Sequence, residues 1–436
     1  MNVEAIAWIS ARSSGLYLGF GLAALLCHLK HIEAKQDVRF LLASLGFFVL
    51  ALCSKAQAVL LPVLMLLLDL YAGRTLDRRA IVEKVPFFAL SVVFGLVTIS
   101  ERGTVDNITQ GMLSSFTVLD LFFMATYALT FYPFKCVFPV HLAAIYLTDK
   151  TGGHLPIAYY LSFPAALLGA YLGYRAARAR RYVWFGLLFF LIGISLNIQI
   201  IPSRLFVVAD RYAYLPFVGL FFIVGHLYCE VRDDPSRRRW HVPFTALLVV
   251  ALGVFSVASY QRTDTWKDSV TLVTDLIEKN AHVPYLYRAY GTRGNEKLRS
   301  GAAEEALTDF SRALELNRED ATTFYNRAVA YKNLGRYQAA MSELDRALAL
   351  GISHSGIYNL RCYVKFSAHD LAGALRECDK ALELDPQLFE ALNTRAVVRF
   401  ASGDPVGAEA DFNRAETPGG TLSRKEGAAR PPPAPF

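Results

Sequence analysis

The stretch Asp210-Arg211-Tyr212-Ala213-Tyr214-Leu215-Pro216-Phe217-Val218-Gly219 sets an acid, a permanent cation and two phenols at the mouth of an apolar run that reaches Cys229. Tyrosine suits the water–lipid boundary, where its ring is apolar and its hydroxyl wet. Asp and Arg are inexpensive there only in the interface, in a pair, or facing protein. The stretch therefore reads as a helix-end anchor or as a site that grips an anionic headgroup. Other polar residues sit at comparable places. Glu4, Trp8 and Arg12 are spaced i, i+4, i+8, one stripe of a helix. Lys55 falls between two apolar runs, and Glu101-Arg102 closes another. Arg and Lys are natural partners of phosphate oxygens. Several cations at such places make a site for a polyanionic headgroup, such as a lipid-linked phosphate, the chemistry to expect, with Trp8, Asp210, Tyr212 and Tyr214 lining it.

These residues need membrane-spanning helices to hold them. Of the 436 residues, 54% are apolar, and mean hydropathy is +0.30. Runs near 8–29, 40–54, 56–71, 85–100, 156–174, 182–202, 211–229 and 241–259 approach the roughly 20 residues of a crossing. Lys30, Lys35 and Arg39 precede the 40–71 run, and Arg74, Arg78, Arg79 and Lys84 follow it. Basic flanks belong on one, cytoplasmic, side, so that run is expected to cross twice about a tight turn at Ser54-Lys55. The basic loops at 175–181 and 232–239 share that side if 116–148, with Pro133 and Pro139, is an interfacial or re-entrant hairpin. The result is about eight spans in 1–259, with the first residues and everything after 260 on the other face. The net charge of +7 comes largely from such loops, so no nucleic-acid partner is expected. Six cysteines show no CxxC or CxxH spacing, and no metal site is read.

Beyond a linker helix at 260–286 the chain turns charged and Ala-rich. Ala306, Ala340, Ala374 and Ala408 recur every 34 residues, as do Ala313, Ala347, Ala381 and Ala415. Phe310, Leu344, Cys378 and Phe412 hold the large position between them, and Gly301, Gly335, His369 and Gly403 mark the turn. This is the tetratricopeptide (TPR) pattern: four repeats over 287–422, then a disordered tail at 423–436. Arg293, Arg327, Arg361 and Arg395 take the seventh position, and Asp309, Glu343, Glu377 and Asp411 follow sixteen residues later. The matching acids favour a salt-bridge ladder over a cationic groove. Cys362 and Cys378 fall at inward positions of one repeat and are expected to be reduced core thiols, a disulfide being the other reading. The fold class is all-α: a polytopic membrane domain, then a TPR α-solenoid.

Three motifs carry a resemblance. Val3-Glu4-Ala5-Ile6-Ala7-Trp8-Ile9-Ser10-Ala11-Arg12, Ser54-Lys55-Ala56 with Pro62 and Asp69, and Asp210-Arg211-Tyr212-Ala213-Tyr214-Leu215-Pro216 with Gly219 occur in the order found in the transmembrane-and-TPR protein O-mannosyltransferases and their bacterial relatives. The chain resembles that family along its whole length. The resemblance implies a GT-C-like membrane domain that uses a polyprenyl-phosphate sugar, with Arg12, Lys55 and Arg211 on the lipid phosphate. In the family an earlier helix and loop carry an acidic pair associated with catalysis and metal binding, and these precede the Glu4-to-Arg12 motif. The present sequence begins at that motif, so it is expected to be either a piece of a longer protein or a remnant. No catalytic residue is assigned. Glu4 is the nearest carboxylate on the relevant face, and a divalent metal is implied by the resemblance alone.

The reading is a membrane glycosyltransferase-like protein that passes a sugar, mannose by resemblance, from a polyprenyl-phosphate donor to a protein or glycan outside the cytoplasm. The repeats would bind acceptor or partner. The alternative is a non-catalytic, membrane-anchored TPR scaffold in envelope or glycan assembly. The expected location is a bacterial inner membrane with the repeats in the periplasm, or else the endoplasmic reticulum with the repeats in the lumen.

Overall fold

The computed structural model describes residues 12–101, 116–140, 142–143, 146–147, 150, 153–198, 207–281 and 283–416. Glu4, Trp8, Arg102 and the tail from Thr417 lie outside them; Arg12 is described only as the first residue of a helix. The chain divides into two units, Met1–Val283 and Pro284–Phe436.

In the first unit α1 (Arg12–Glu33) and α2 (Val38–Ser54) pack along each other, joined where the Ser44 hydroxyl donates to the Ala24 carbonyl at 2.8 Å. Helix α2 stops at Lys55, whose backbone is extended (φ −161°, ψ 132°). A 3-10 turn at Ala56–Leu60 then leads into α3 (Leu61–Ala72) and α4 (Arg78–Glu101). Next come α5 (Val118–Val137), α6 (Ile157–Ala179), α7 (Arg181–Ile194), α8 (Tyr214–Asp233), α9 (His241–Thr263) and α10 (Ser269–Lys279). The segment expected to be a hairpin contains one 20-residue helix, α5, which starts at a Thr117–Asp120 capping box and runs through Pro133. Proline there lies one turn from the helix end, so few downstream hydrogen bonds depend on the one it removes.

Among the described residues four stretches are long and apolar enough to cross a membrane: Ser13–Glu33, Arg78–Ser100, Tyr214–Asp233 and Arg238–Trp266. Three shorter apolar helices cover Val38–Ser54, Ala56–Ala72 and Arg181–Asn197. No residue of α9 is buried, although Val242, Leu247, Val249, Val250 and Leu252 line it. An apolar patch of that extent is costly in water and ordinary in lipid.

Helices α7 and α8 serve two cores. Phe185, Phe189 and Leu215 join the cluster built on α1–α4, while Phe190, Ile194 and Phe217 join the one built on α5 and Val207–Ala209. Two glycines let α7 and α8 meet backbone to backbone: a Cβ on Gly186 would stand 2.5 Å from the Gly219 carbonyl oxygen.

The second unit is four antiparallel helix pairs: α11 (Tyr287–Arg299) with α12 (Ala303–Leu316), α13 (Ala321–Asn333) with α14 (Tyr337–Ala349), α15 (Ser355–Ser367) with α16 (Leu371–Leu384), and α17 (Phe389–Ala401) with α18 (Pro405–Glu416). Each turn within a pair needs a left-handed residue. Gly301, Gly335 and Gly403 supply it, and in the third pair His369 does so at φ 63°. That conformation costs a side-chain-bearing residue about 1–2 kcal/mol.

One expectation is corrected here. Cys362 and Cys378 are joined in a disulfide, with Cα atoms 5.3 Å apart, inside the range a bridge spans. The same slot in other repeats holds a small–large pair, Gly294 with Phe310 and Ala328 with Leu344. A Cβ on Gly294 would collide with the Phe310 ring at 2.6 Å. Two cysteines fill the slot only partly, and their sulfurs meet across it.

Candidate functional site

Asp210–Tyr212 form a single 3-10 turn ahead of α8, closed by Tyr212 N–H to Ala209 O at 3.0 Å and Ala213 N–H to Asp210 O at 3.1 Å. The approach to the turn is fixed from α5. The Tyr132 hydroxyl accepts from the Ala209 N–H at 3.2 Å and donates to the Ala209 carbonyl at 3.3 Å. Asp210, Tyr212 and Tyr214 are buried. One Asp210 carboxylate oxygen accepts from the Tyr146 hydroxyl at 3.1 Å.

Lys55 reaches the same turn from the break between α2 and α3. Its ammonium donates to the Ser14 hydroxyl on α1 at 2.7 Å and lies 6.0 Å from the centre of the Tyr212 ring. The Arg211 guanidinium lies 5.4 Å from that ring. Two cations from separate parts of the sequence thus share one aromatic ring, as cation–π attraction favours. Arg12 opens the helix that carries Ser14, two residues away. The structure therefore brings Lys55, Asp210, Arg211 and Tyr212 together, with Tyr214 at the start of α8. Among the described residues no group of three His, Cys, Asp or Glu side chains could hold a metal ion. The residues described do not fit the divalent metal implied by the resemblance.

A second polar cluster escaped the sequence reading. His28 and Asp69 meet at 2.9 Å with neither side chain exposed, and Lys84 pairs with the other oxygen of Asp69. Arg74 lies 3.6 Å from Asp69 and 2.7 Å from Glu83; His31 bridges the Asp37 carbonyl (2.8 Å) and Glu83 (3.3 Å). Arg74 and Lys84, read as marks of a cytoplasmic flank, are drawn inward by these two acids. The available signals were an acid inside an apolar helix, Asp69, and two histidines three apart on one face of α1.

In the repeats every seventh-position arginine meets the acid sixteen residues on. Arg293 forks onto Asp309 at 2.6 and 2.9 Å, Arg327 onto Glu343 at 2.9 Å twice, and Arg395 onto Asp411 at 2.6 and 2.8 Å; Arg361 Nε lies 3.2 Å from Glu377. The same arginines also reach back sixteen residues to the preceding pair. Arg327 donates to Ser311 at 3.4 Å, Arg361 pairs with Asp345, and Arg395 pairs with Asp379 at 2.7 Å. The bond to Asp411 foremost holds the Arg395 proton more tightly than usual. This backward arm is a second period-34 series, Ser311, Asp345 and Asp379, that the sequence reading passed over.

Comparison with known proteins supports the repeat assignment. Residues 294–335 match a family model described as TPR repeat, and 321–350 match tetratricopeptide repeat. The chain carries TPR repeats. A 135-residue stretch is 27% identical to the protein O-mannosyl-transferase Tmtc3 of Drosophila melanogaster; it is 31% of this chain and 14% of that relative, so only a small part of the relative's length is matched. Among solved structures, MamA from Desulfovibrio magneticus RS-1 aligns over 42% of this chain and 97% of its own, at 14% identity and a TM-score of 0.32. The first TPR domain of human RPAP3 aligns over 29% and 98%, at 26% identity and a TM-score of 0.27.

Proposed function

We propose that this chain is the membrane-and-repeat part of a glycosyltransferase that takes a sugar from a polyprenyl-phosphate donor, with Lys55 and Arg211, and Arg12 near them, on the donor phosphate. The observation that carries the reading is the convergence of Lys55 and Arg211 on the Tyr212 ring. The three quoted motifs and the partial likeness to Tmtc3 support it. The repeats bind the acceptor or a protein partner. Their disulfide suits an oxidising compartment, so they lie outside the cytoplasm, in a periplasm or lumen. The two cations sit on that same side, where a flipped lipid-linked sugar presents its phosphate.

The test is binding of a polyprenyl-phosphate sugar to purified full-length chain, wild type against Arg211→Lys and Arg211→Ala. Loss of a charge-assisted contact costs about 1.5–3 kcal/mol, roughly ten- to a hundredfold in affinity. Arg211→Ala should lose that much, and Arg211→Lys a good part of it, because Lys offers a point charge where Arg offers paired donors. Unchanged binding in folded Arg211→Ala would remove Arg211 from the site.

A further inference from the structure

The Asp210 turn is tied to a helix far along the chain. Helix α10 is amphipathic and begins at Asp268, whose side chain accepts from the Thr271 N–H. It folds back on α9 through a forked pair, Arg262 to Asp275 at 2.6 and 2.9 Å. Its last turn grips the segment that follows α5. Lys279 donates to the Leu142 carbonyl, and the buried Asn280 accepts from the Leu147 N–H at 2.9 Å while donating to the Leu276 carbonyl at 2.8 Å. Between those two grips stands Tyr146. Its hydroxyl accepts from the Ala143 N–H at 3.0 Å and donates to Asp210 at 3.1 Å. Its ring meets Phe131 edge-on at 5.0 Å, and the Lys135 ammonium lies 6.0 Å from it.

We propose that Tyr146, Lys279 and Asn280 are positioning residues for the Asp210–Arg211 mouth, and that α10 is the strap that keeps them in place. The hydroxyl of Tyr146 sets the direction of the carboxylate that adjoins Arg211. That hydroxyl stays put because the segment bearing it is pinned at Leu142 and at Leu147 by one turn of α10. Asn280 is four residues from Pro284, where the repeat unit begins. As a control on donor binding, the inference rests on the reading of the mouth as the donor-phosphate site; as a mechanical coupling it does not.

The experiment uses full-length chain in lipid nanodiscs, as wild type, Asn280→Ala, Tyr146→Phe and the double variant. Two readouts are taken: hydrogen exchange over 207–214, and affinity for polyprenyl phosphate. Tyr146→Phe, which removes a bond to a carboxylate, should speed exchange over 207–214 by roughly ten- to a hundredfold, and Asn280→Ala, which removes neutral bonds, by roughly two- to tenfold. The double variant should resemble Tyr146→Phe, since both changes act on one path. Tyr146→Phe removes a single oxygen and leaves α10 untouched, so it still reports if Asn280→Ala unfolds the helix. Exchange unchanged in Tyr146→Phe, or additive effects in the double variant, would overturn the strap. Coupled exchange in a wild-type chain that does not bind polyprenyl phosphate would keep the strap and sink the donor reading. Weakened binding in both single variants supports the two together.

Discussion

The two units handle charge in opposite ways. In the repeats, cations and acids recur on a fixed period, pair at a constant separation of sixteen residues, and remain partly in water: the four arginine side chains are 11–18% exposed. In the first unit, His28, Asp69 and Lys84 come from three different helices and are 0–1% exposed. A ladder arginine that also reaches back to the preceding pair and keeps some contact with water risks less when one acid goes. A shared, dry cluster leaves its other members stranded. Repetition therefore makes charge tolerable one pair at a time, whereas the bundle depends on a single constellation.

The sharpest way to break this contrast is Asp69→Ala. It strands Lys84 and His28, while Arg74 keeps Glu83, and removal of one buried partner costs about 3–5 kcal/mol. The full-length chain in detergent should show a large drop in melting temperature, and Glu343→Ala a small one. Equal drops would erase the distinction.

The disulfide comes next. Its separation of 16 residues corresponds to roughly 3 kcal/mol of restricted unfolded chain. Reductant should destabilise the repeat unit of the wild type, read by hydrogen exchange within the intact chain. A variant with Cys362→Ala and Cys378→Leu copies the Ala328–Leu344 slot and should be indifferent to reductant. A wild type equally indifferent would show that the bridge contributes nothing.

Smallest is the ladder itself. A cycle of Arg327→Ala, Glu343→Ala and the double variant should give a coupling of about 1 kcal/mol or somewhat more, since exposed pairs give about 0–1 and this forked pair is mostly covered. A coupling near zero, joined to loss of a bound partner, would recast Arg327 as a binding residue.

What was legible in the sequence follows the same division. Arg327 and Glu343 could be paired on paper because their spacing repeats, and the alternation of Ala306 and Phe310 exposed the packing. Lys55 and Tyr212 are 157 positions apart with no period to join them; only the motif resemblance set both at one mouth. His28 and Asp69 lacked even that, since an apolar helix hides which of its faces meets which neighbour. The charge of Arg74 and Lys84 was visible, but their partners were not, so only a topological reading of them was open. Tyr146 gave no signal at all, because its hydroxyl meets Asp210, 64 residues later, with no motif or period to join them.

The close approach of Gly186 and Gly219 acts on the mouth like a pivot pin. With carbonyls against α-carbons, the two helices can rock about that point but cannot slide past it without lifting apart. Gly219 lies seven residues above Tyr212, about 10 Å along a helix. An alanine at either glycine would press its methyl against the partner's backbone and force the two helices apart, displacing the start of α8 next to the mouth.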